Sequence, residues 1–180
     1  MNLFMNSWIY KFFLLFFCFS SLSNAKEDGV DRIIFQHAGE IGTYVAGFGF
    51  DINSIYEIAL LYGHVPSSQS LSEVDTLAVK NNFNLYTKKK YKFHTGIAIY
   101  HALNSQYKTY LNDDYPDSYY QIGSIRGLIY LGGQYILSRK YSVFYEVGLN
   151  DLQIVDMYNN STEELNNDSL SAAIGMNFMI

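Results

Sequence analysis

Apolar side chains recur at every second position in segment after segment of this chain, and a period of two marks strands with one apolar face. In residues 54–64, Tyr56, Ile58, Leu60 and Tyr62 share one face, while Glu57, Ala59, Leu61 and Gly63 share the other. Residues 74–86 set Leu77, Val79, Phe83 and Leu85 against Thr76, Ala78, Lys80, Asn82 and Asn84. Residues 91–103 oppose Phe93, Thr95, Ile97 and Ile99 to Lys92, His94, Gly96, Ala98 and Tyr100. In residues 142–150, Val143, Tyr145, Val147 and Leu149 face away from Ser142, Phe144, Glu146, Gly148 and Asn150. The last segment, 170–180, separates Leu170, Ala172, Ile174, Met176, Phe178 and Ile180 from Ser171, Ala173, Gly175, Asn177 and Met179. Residues 32–38 and 43–50 form an opening hairpin around Gly39 and Gly42. Residues 119–137 hold one long strand, with a bulge expected near Gly132 and Gly133. The expected strand count is eight.

The second face decides what these strands build. A soluble, lipocalin-like barrel that binds an apolar ligand keeps its apolar set inside and shows charge outside. Here only 16% of residues are charged, against roughly 25% in soluble domains, so a solvated exterior is hard to assemble. The non-apolar face is mostly Gly, Ala, Ser and Asn with isolated ionisable groups, which suits the narrow lumen of eight strands. No stretch after residue 25 is apolar for the roughly 20 residues that a spanning helix needs, so any crossing is made by strands. The expected fold is an all-β, eight-stranded antiparallel up-and-down transmembrane barrel, apolar side outward. Tyr62 at one level, and Tyr135, Tyr141 and Phe178 at the other, are placed as interfacial girdles.

Connection lengths point the same way. The second, fourth and sixth are short (51–53, 87–90 and 138–140), and the third, fifth and seventh are longer (65–73, 104–118 and 151–168). Short periplasmic turns alternating with longer external loops are usual in outer-membrane barrels. Only the first connection, near Gly39 and Gly42, breaks the alternation.

The N-terminus reads as a cleavable secretory signal. Lys11 supplies a charge, residues 12–19 an apolar run, and Ser23 and Ala25 the small residues of a cleavage site after position 25. Bulky residues before Cys18 argue against lipoprotein processing. The expected mature barrel is then 26–180. It lacks a cysteine, since Cys18 is the only one, so it has neither disulfide nor thiol nucleophile. Its net charge is one unit more negative than the −5 of the full chain, which excludes a nucleic-acid footprint.

Glu57, Lys80, Arg126 and Glu146 point into the expected lumen. Buried charges need partners, so the four read as an interior salt-bridge network rather than a catalytic cluster. His94 shares that face. His64 and His101 sit near the external strand ends on the outward parity, as interfacial anchors. The external connections hold Asp113, Asp114, Asp117, Asp156, Glu163, Glu164 and Asp168. They lack the alternating ligands and Gly of a calcium loop and read as a solvated acidic face beside lipopolysaccharide, able to gather divalent ions. Neither a phosphate loop, a nucleophile elbow nor a zinc-protease motif is present, so no cofactor and no metal site is expected.

From Gly127 to the C-terminus the chain resembles small outer-membrane barrels of the lipid A deacylase (acyloxyacyl hydrolase-like) group. The shared layout is a strand, the tight turn Ser138, Arg139, Lys140, the strand from Tyr141 to Asn150, a polar loop and a closing strand. The resemblance implies the fold and the membrane. That family's next-to-last strand bears a His-x-Ser motif followed by an acid. Here the run from Val147 to Asp151 has neither His nor Ser, so no triad is carried over. The expected function is a non-enzymatic, monomeric outer-membrane barrel contributing to envelope integrity or surface interaction through its external loops, in contact with lipid and lipopolysaccharide. The alternatives are a deacylase-like esterase with a displaced site, using His64 or His101 as base, and a soluble periplasmic barrel binding an apolar ligand.

Overall fold

The structure, a computed structural model, describes residues 29–68, 73–103, 125–151, 153–154 and 170–180. The expected signal 1–25 and the acidic residues at 113, 114, 117, 156, 163, 164 and 168 lie outside the described residues. Eight strands follow one another in the chain: β1 (Arg32–His37), β2 (Tyr44–Asp51), β3 (Tyr56–Val65), β4 (Val74–Lys88), β5 (Tyr91–Ala102), β6 (Ile125–Ile136), β7 (Tyr141–Asn150) and β8 (Ser171–Met179). Each pairs antiparallel with its neighbours in sequence, and β8 closes on β1. The expected opening hairpin is present, one residue shorter at β1, and β6 begins at Ile125.

Closure fixes the dimensions. Carrying the residue pairing once round the barrel returns to β1 about ten residues further along, a stagger that tilts the strands into the ~35–45° range of closed barrels. A strand of ten residues at about 3.3 Å each, so tilted, rises about 25 Å, the height of an apolar transmembrane band.

The two faces separate as alternation requires. Leu60 (48%), Val79 (38%), Ile97 (48%) and Val147 (42%) are exposed on the outside. Their strand neighbours Ala59, Leu61, Ala78, Lys80, Ala98 and Glu146 are buried inside. An apolar exterior of this kind is stable in hydrocarbon and not in water.

Inside, bulk is balanced against glycine across the strands. Tyr130 pairs with Gly96 on one side and Gly148 on the other. His94 pairs with Gly132, Phe144 with Gly175, and Arg32 with Gly49. A Cβ at Gly96 would lie 2.2 Å from the Tyr130 hydroxyl, and one at Gly175 would lie 2.3 Å from the Phe144 ring. The lumen therefore holds about one large side chain per level, and its cross-strand neighbour has to be small.

The expected bulge at Gly132 and Gly133 is absent: β6 keeps unbroken register there with both β5 and β7. Gly132 admits the His94 ring, and Gly133, on the outside, lies under the Tyr145 ring. Both glycines are there for space. The register shift lies instead in β4, between Asn84 and Tyr86, where β4 overhangs toward its turn.

The connections at 52–55, 89–90 and 137–140 lie at the end of the barrel where β1 starts and β8 finishes. At the other end the first connection is tight, with Ala38 and Gly39 both at positive φ (64° and 91°). Its Ile41 is buried over the barrel mouth, where its carbonyl occupies the space a side chain at Gly63 would need.

Candidate functional site: the ion-paired interior

The polar residues of the lumen form three charged groups at different heights and one uncharged cluster. Nearest the chain termini, Arg32 at the start of β1 pairs with Asp51 of β2 and with Glu57 of β3, the latter at 2.7 Å. The second oxygen of Glu57 accepts from Lys92 Nζ at 2.9 Å and from Asn84 Nδ2 at 2.8 Å. Both oxygens of this buried carboxylate are thus satisfied, which the low dielectric demands.

At mid-height, Lys80 of β4 donates to Glu146 of β7 across the lumen, and its Nζ also lies 3.4 Å from Gln36 Oε1. The ammonium sits 4.5 Å from the centre of the Tyr130 ring, close enough for the ring's negative face to attract it. The other Glu146 oxygen is 3.4 Å from His94 Nε2. The Tyr130 hydroxyl donates to the side chain of Asn82. Below this group, Gln134 and Asn177 both donate to Ser142 Oγ, at 2.7 and 3.3 Å. Near the opposite mouth, Arg126 is held by Asp151 at 2.8–2.9 Å.

Of the four residues singled out from sequence, the structure brings Lys80 and Glu146 into direct contact. Glu57 belongs to the separate group with Arg32 and Lys92, and Arg126 lies at the far end with Asp151. Arg32, Asp51, Lys92 and Gln36 complete the interior arrangement and were not among the expected members. Parity carried a signal for Arg32 and Lys92, since both share the inward face of their strands. Parity cannot say which inward charges meet, because that depends on register across strands.

The two lower charged groups pair Arg32, Lys80 and Lys92 with Asp51, Glu57 and Glu146, so cations and carboxylates balance. The space left among these side chains is about 20 Å³, room for about one water molecule. Among the described residues the interior is a plug and offers no nucleophile beside a base: Ser142 is engaged by two amide donors and is fully buried.

On the outside, His64 stands opposite Asp75 in the β3–β4 pairing. Its Nδ1 is 2.9 Å from Asp75 and its Nε2 3.6 Å from Glu73, and Tyr62 donates its hydroxyl to Asp75 at 2.5 Å. Glu73 and Asp75 went unseen as partners in the sequence, because they lie at and just before the start of the next strand. Two carboxylates claim the ring, and no hydroxyl among the described residues lies within hydrogen-bond reach of it. His101, between Leu77 and Ile125, has a buried Nδ1 without a partner. Among the described residues no group of three or more His, Cys, Asp or Glu could hold a metal ion.

No family model matches the chain, and no curated protein matches it. Solved structures of similar shape do exist. A de novo designed transmembrane β-barrel superposes with a TM-score of 0.50 at 12% identity, over 87% of this chain and 99% of that one. The designed barrel TMB2.3, solved by NMR in solution, gives 0.50 at 12% identity, over 86% and 98%. CarO2 of Acinetobacter baumannii gives 0.37 at 12% identity, over 85% and 100%. The chain is a closed eight-stranded antiparallel barrel with the fold of transmembrane β-barrels.

Proposed function

We propose that this protein resides in a bacterial outer membrane as a non-catalytic barrel, exported by the segment 1–25. It contributes to envelope integrity or surface interaction through the connections at the end away from its termini. One observation carries the reading: an apolar outer face surrounds an interior filled by paired charges, leaving, among the described residues, neither a channel nor an assembled nucleophile. Such a body gains its stability from lipid and presents only its ends to water. Its partners are then outer-membrane lipid and lipopolysaccharide, and it works as a monomer, since closure leaves no free sheet edge.

The test is fractionation followed by gel mobility with and without boiling. A closed barrel is expected in the detergent-extracted membrane fraction, migrating differently before and after heating. Recovery in the soluble fraction without detergent overturns the proposal. The rival esterase reading draws support from the Asp75 carboxylate on His64 Nδ1, the geometry that orients a general base. Mass spectrometry of lipid A from cells with and without the protein separates the two. An unchanged acylation profile is expected, and loss of an acyl chain would establish the enzyme.

A further inference from the structure

We propose that the barrel end bearing the chain termini docks on anionic phospholipid headgroups through the β4–β5 and β6–β7 turns; this rests on the membrane reading above. Among the described residues Arg32, Lys80, Lys92 and Arg126 are taken up in ion pairs. The remaining described cations, Lys88 at the end of β4 and Lys89, Lys90, Arg139 and Lys140 on these two turns, are exposed and form no ion pair among the described residues.

The sheet holds the turns side by side. Tyr91 pairs with Tyr135, and Ile136 N donates to the Lys90 carbonyl at 2.8 Å. The described carboxylate side chains at this end are Asp31, Asp51 and Glu57, on the β1–β3 side of the ring. Asp51 and Glu57 are already paired with Arg32. Among the described residues no carboxylate is paired with the positive arc. At the opposite end the described ionisable side chains include Glu40, Glu73, Asp75 and Asp151, so the barrel is polarised along its axis.

The residues next to the arc select the partner. One step toward the apolar band stand Tyr86, Tyr91, Phe93, Tyr135 and Tyr141, with Tyr91 and Tyr135 in ring contact at 5.0 Å and Lys88 Nζ 5.5 Å from the Tyr86 ring. Cations outermost, amphipathic rings beneath and aliphatic side chains beyond reproduce the order of phosphate, interface and acyl chain in a lipid leaflet. An acidic protein would use the cations but leave the rings without a role.

The experiment reconstitutes the full chain in phosphatidylcholine vesicles. It compares spin-labelled phosphatidylglycerol with spin-labelled phosphatidylcholine for the fraction immobilised at the protein boundary. The expected preference for the anionic lipid is about threefold at low ionic strength, falling toward one in about 0.5 M salt. Joint substitution Lys88→Gln, Lys89→Gln, Lys90→Gln, Arg139→Gln and Lys140→Gln is expected to abolish it. The proposal is overturned by an anionic preference below about 1.5-fold in the parent chain, or by one that survives both salt and the substitutions. It is also overturned if the turns retain soluble polyglutamate in a salt-sensitive way while showing no lipid preference, since an acidic protein would then be the partner. Should the substituted chain not fold, the salt dependence of the parent decides alone. Failure of the chain to enter vesicles at all would sink the membrane reading and is scored separately, by heat-dependent gel mobility.

Discussion

Replacing Lys80 by Met removes the cation from the middle of the lumen and leaves Glu146 a buried carboxylate. Lys80 is 3% exposed and Glu146 6%, so bulk water does not take over the lost contact. What remains to Glu146 is His94 Nε2 at 3.4 Å. Breaking a buried pair from one side costs about 3–5 kcal/mol, and the same figure is expected for Glu146→Leu, which strands the ammonium over Tyr130. The double variant Lys80→Met/Glu146→Leu puts apolar volume where charge was. It leaves only Gln36 and His94 short of a partner, at about 1–2 kcal/mol. A coupling energy above about 3 kcal/mol is therefore expected between the two positions. Urea titrations of the chain refolded in lipid vesicles, scored by the mobility of the unheated barrel, would measure it. Lys88→Met serves as the exposed control, with an expected effect within about 0.5 kcal/mol. Single variants that lose less than about 1 kcal/mol, or losses that simply add, would refute the claim that this pair closes the lumen.

Gly96→Ala is expected to cost about 1–3 kcal/mol or to prevent barrel closure, because its Cβ would meet the Tyr130 hydroxyl at 2.2 Å and the Asn81 carbonyl at 2.4 Å. Gly127→Ala, which meets nothing nearer than 4.0 Å, is expected to be neutral in the same titration. Ile97→Arg on the outer face is expected to destabilise the barrel in vesicles by about 2–4 kcal/mol; a neutral result would contradict a lipid-facing surface. The parent chain is expected to show no sustained conductance in planar bilayers, since about 20 Å³ of interior space accommodates roughly one water and no hydrated ion.

Much of the architecture was legible because it depends on parity alone. Every residue from Tyr141 to Asn150 faces the side that simple alternation assigns, and the inward and outward sets of β5 and β8 follow the same rule. Turn length and strand parity located the three short connections. Space was harder to read. Gly132 and Gly133 look like a bulge in a strand, yet they make room for His94 and Tyr145 from neighbouring strands. The interior charges show the same limit. Lys80 and Glu146 are 66 positions apart and meet only because β4 and β7 face each other across the closed ring. Arg32, at the edge of the first strand, gave no local hint that it would reach two carboxylates.

The two faces place different demands on the chain. Outside, lipid asks only that a side chain be apolar, so Val, Ile, Leu, Phe and Met are nearly interchangeable there. Inside, each level has to meet a volume rule and a charge rule together: one large residue against a glycine, and each charge against its opposite. Phe144 stands against Gly175, and Tyr130 between Gly96 and Gly148. Such rules admit very many sequences, which accounts for designed barrels sharing this fold at 12% identity. Selection for a particular role then acts where neither rule applies, on the turns and connections outside the barrel wall. The concentration of unpaired cations on two adjacent turns is what the rules of the wall do not require, and that is why it points to a partner.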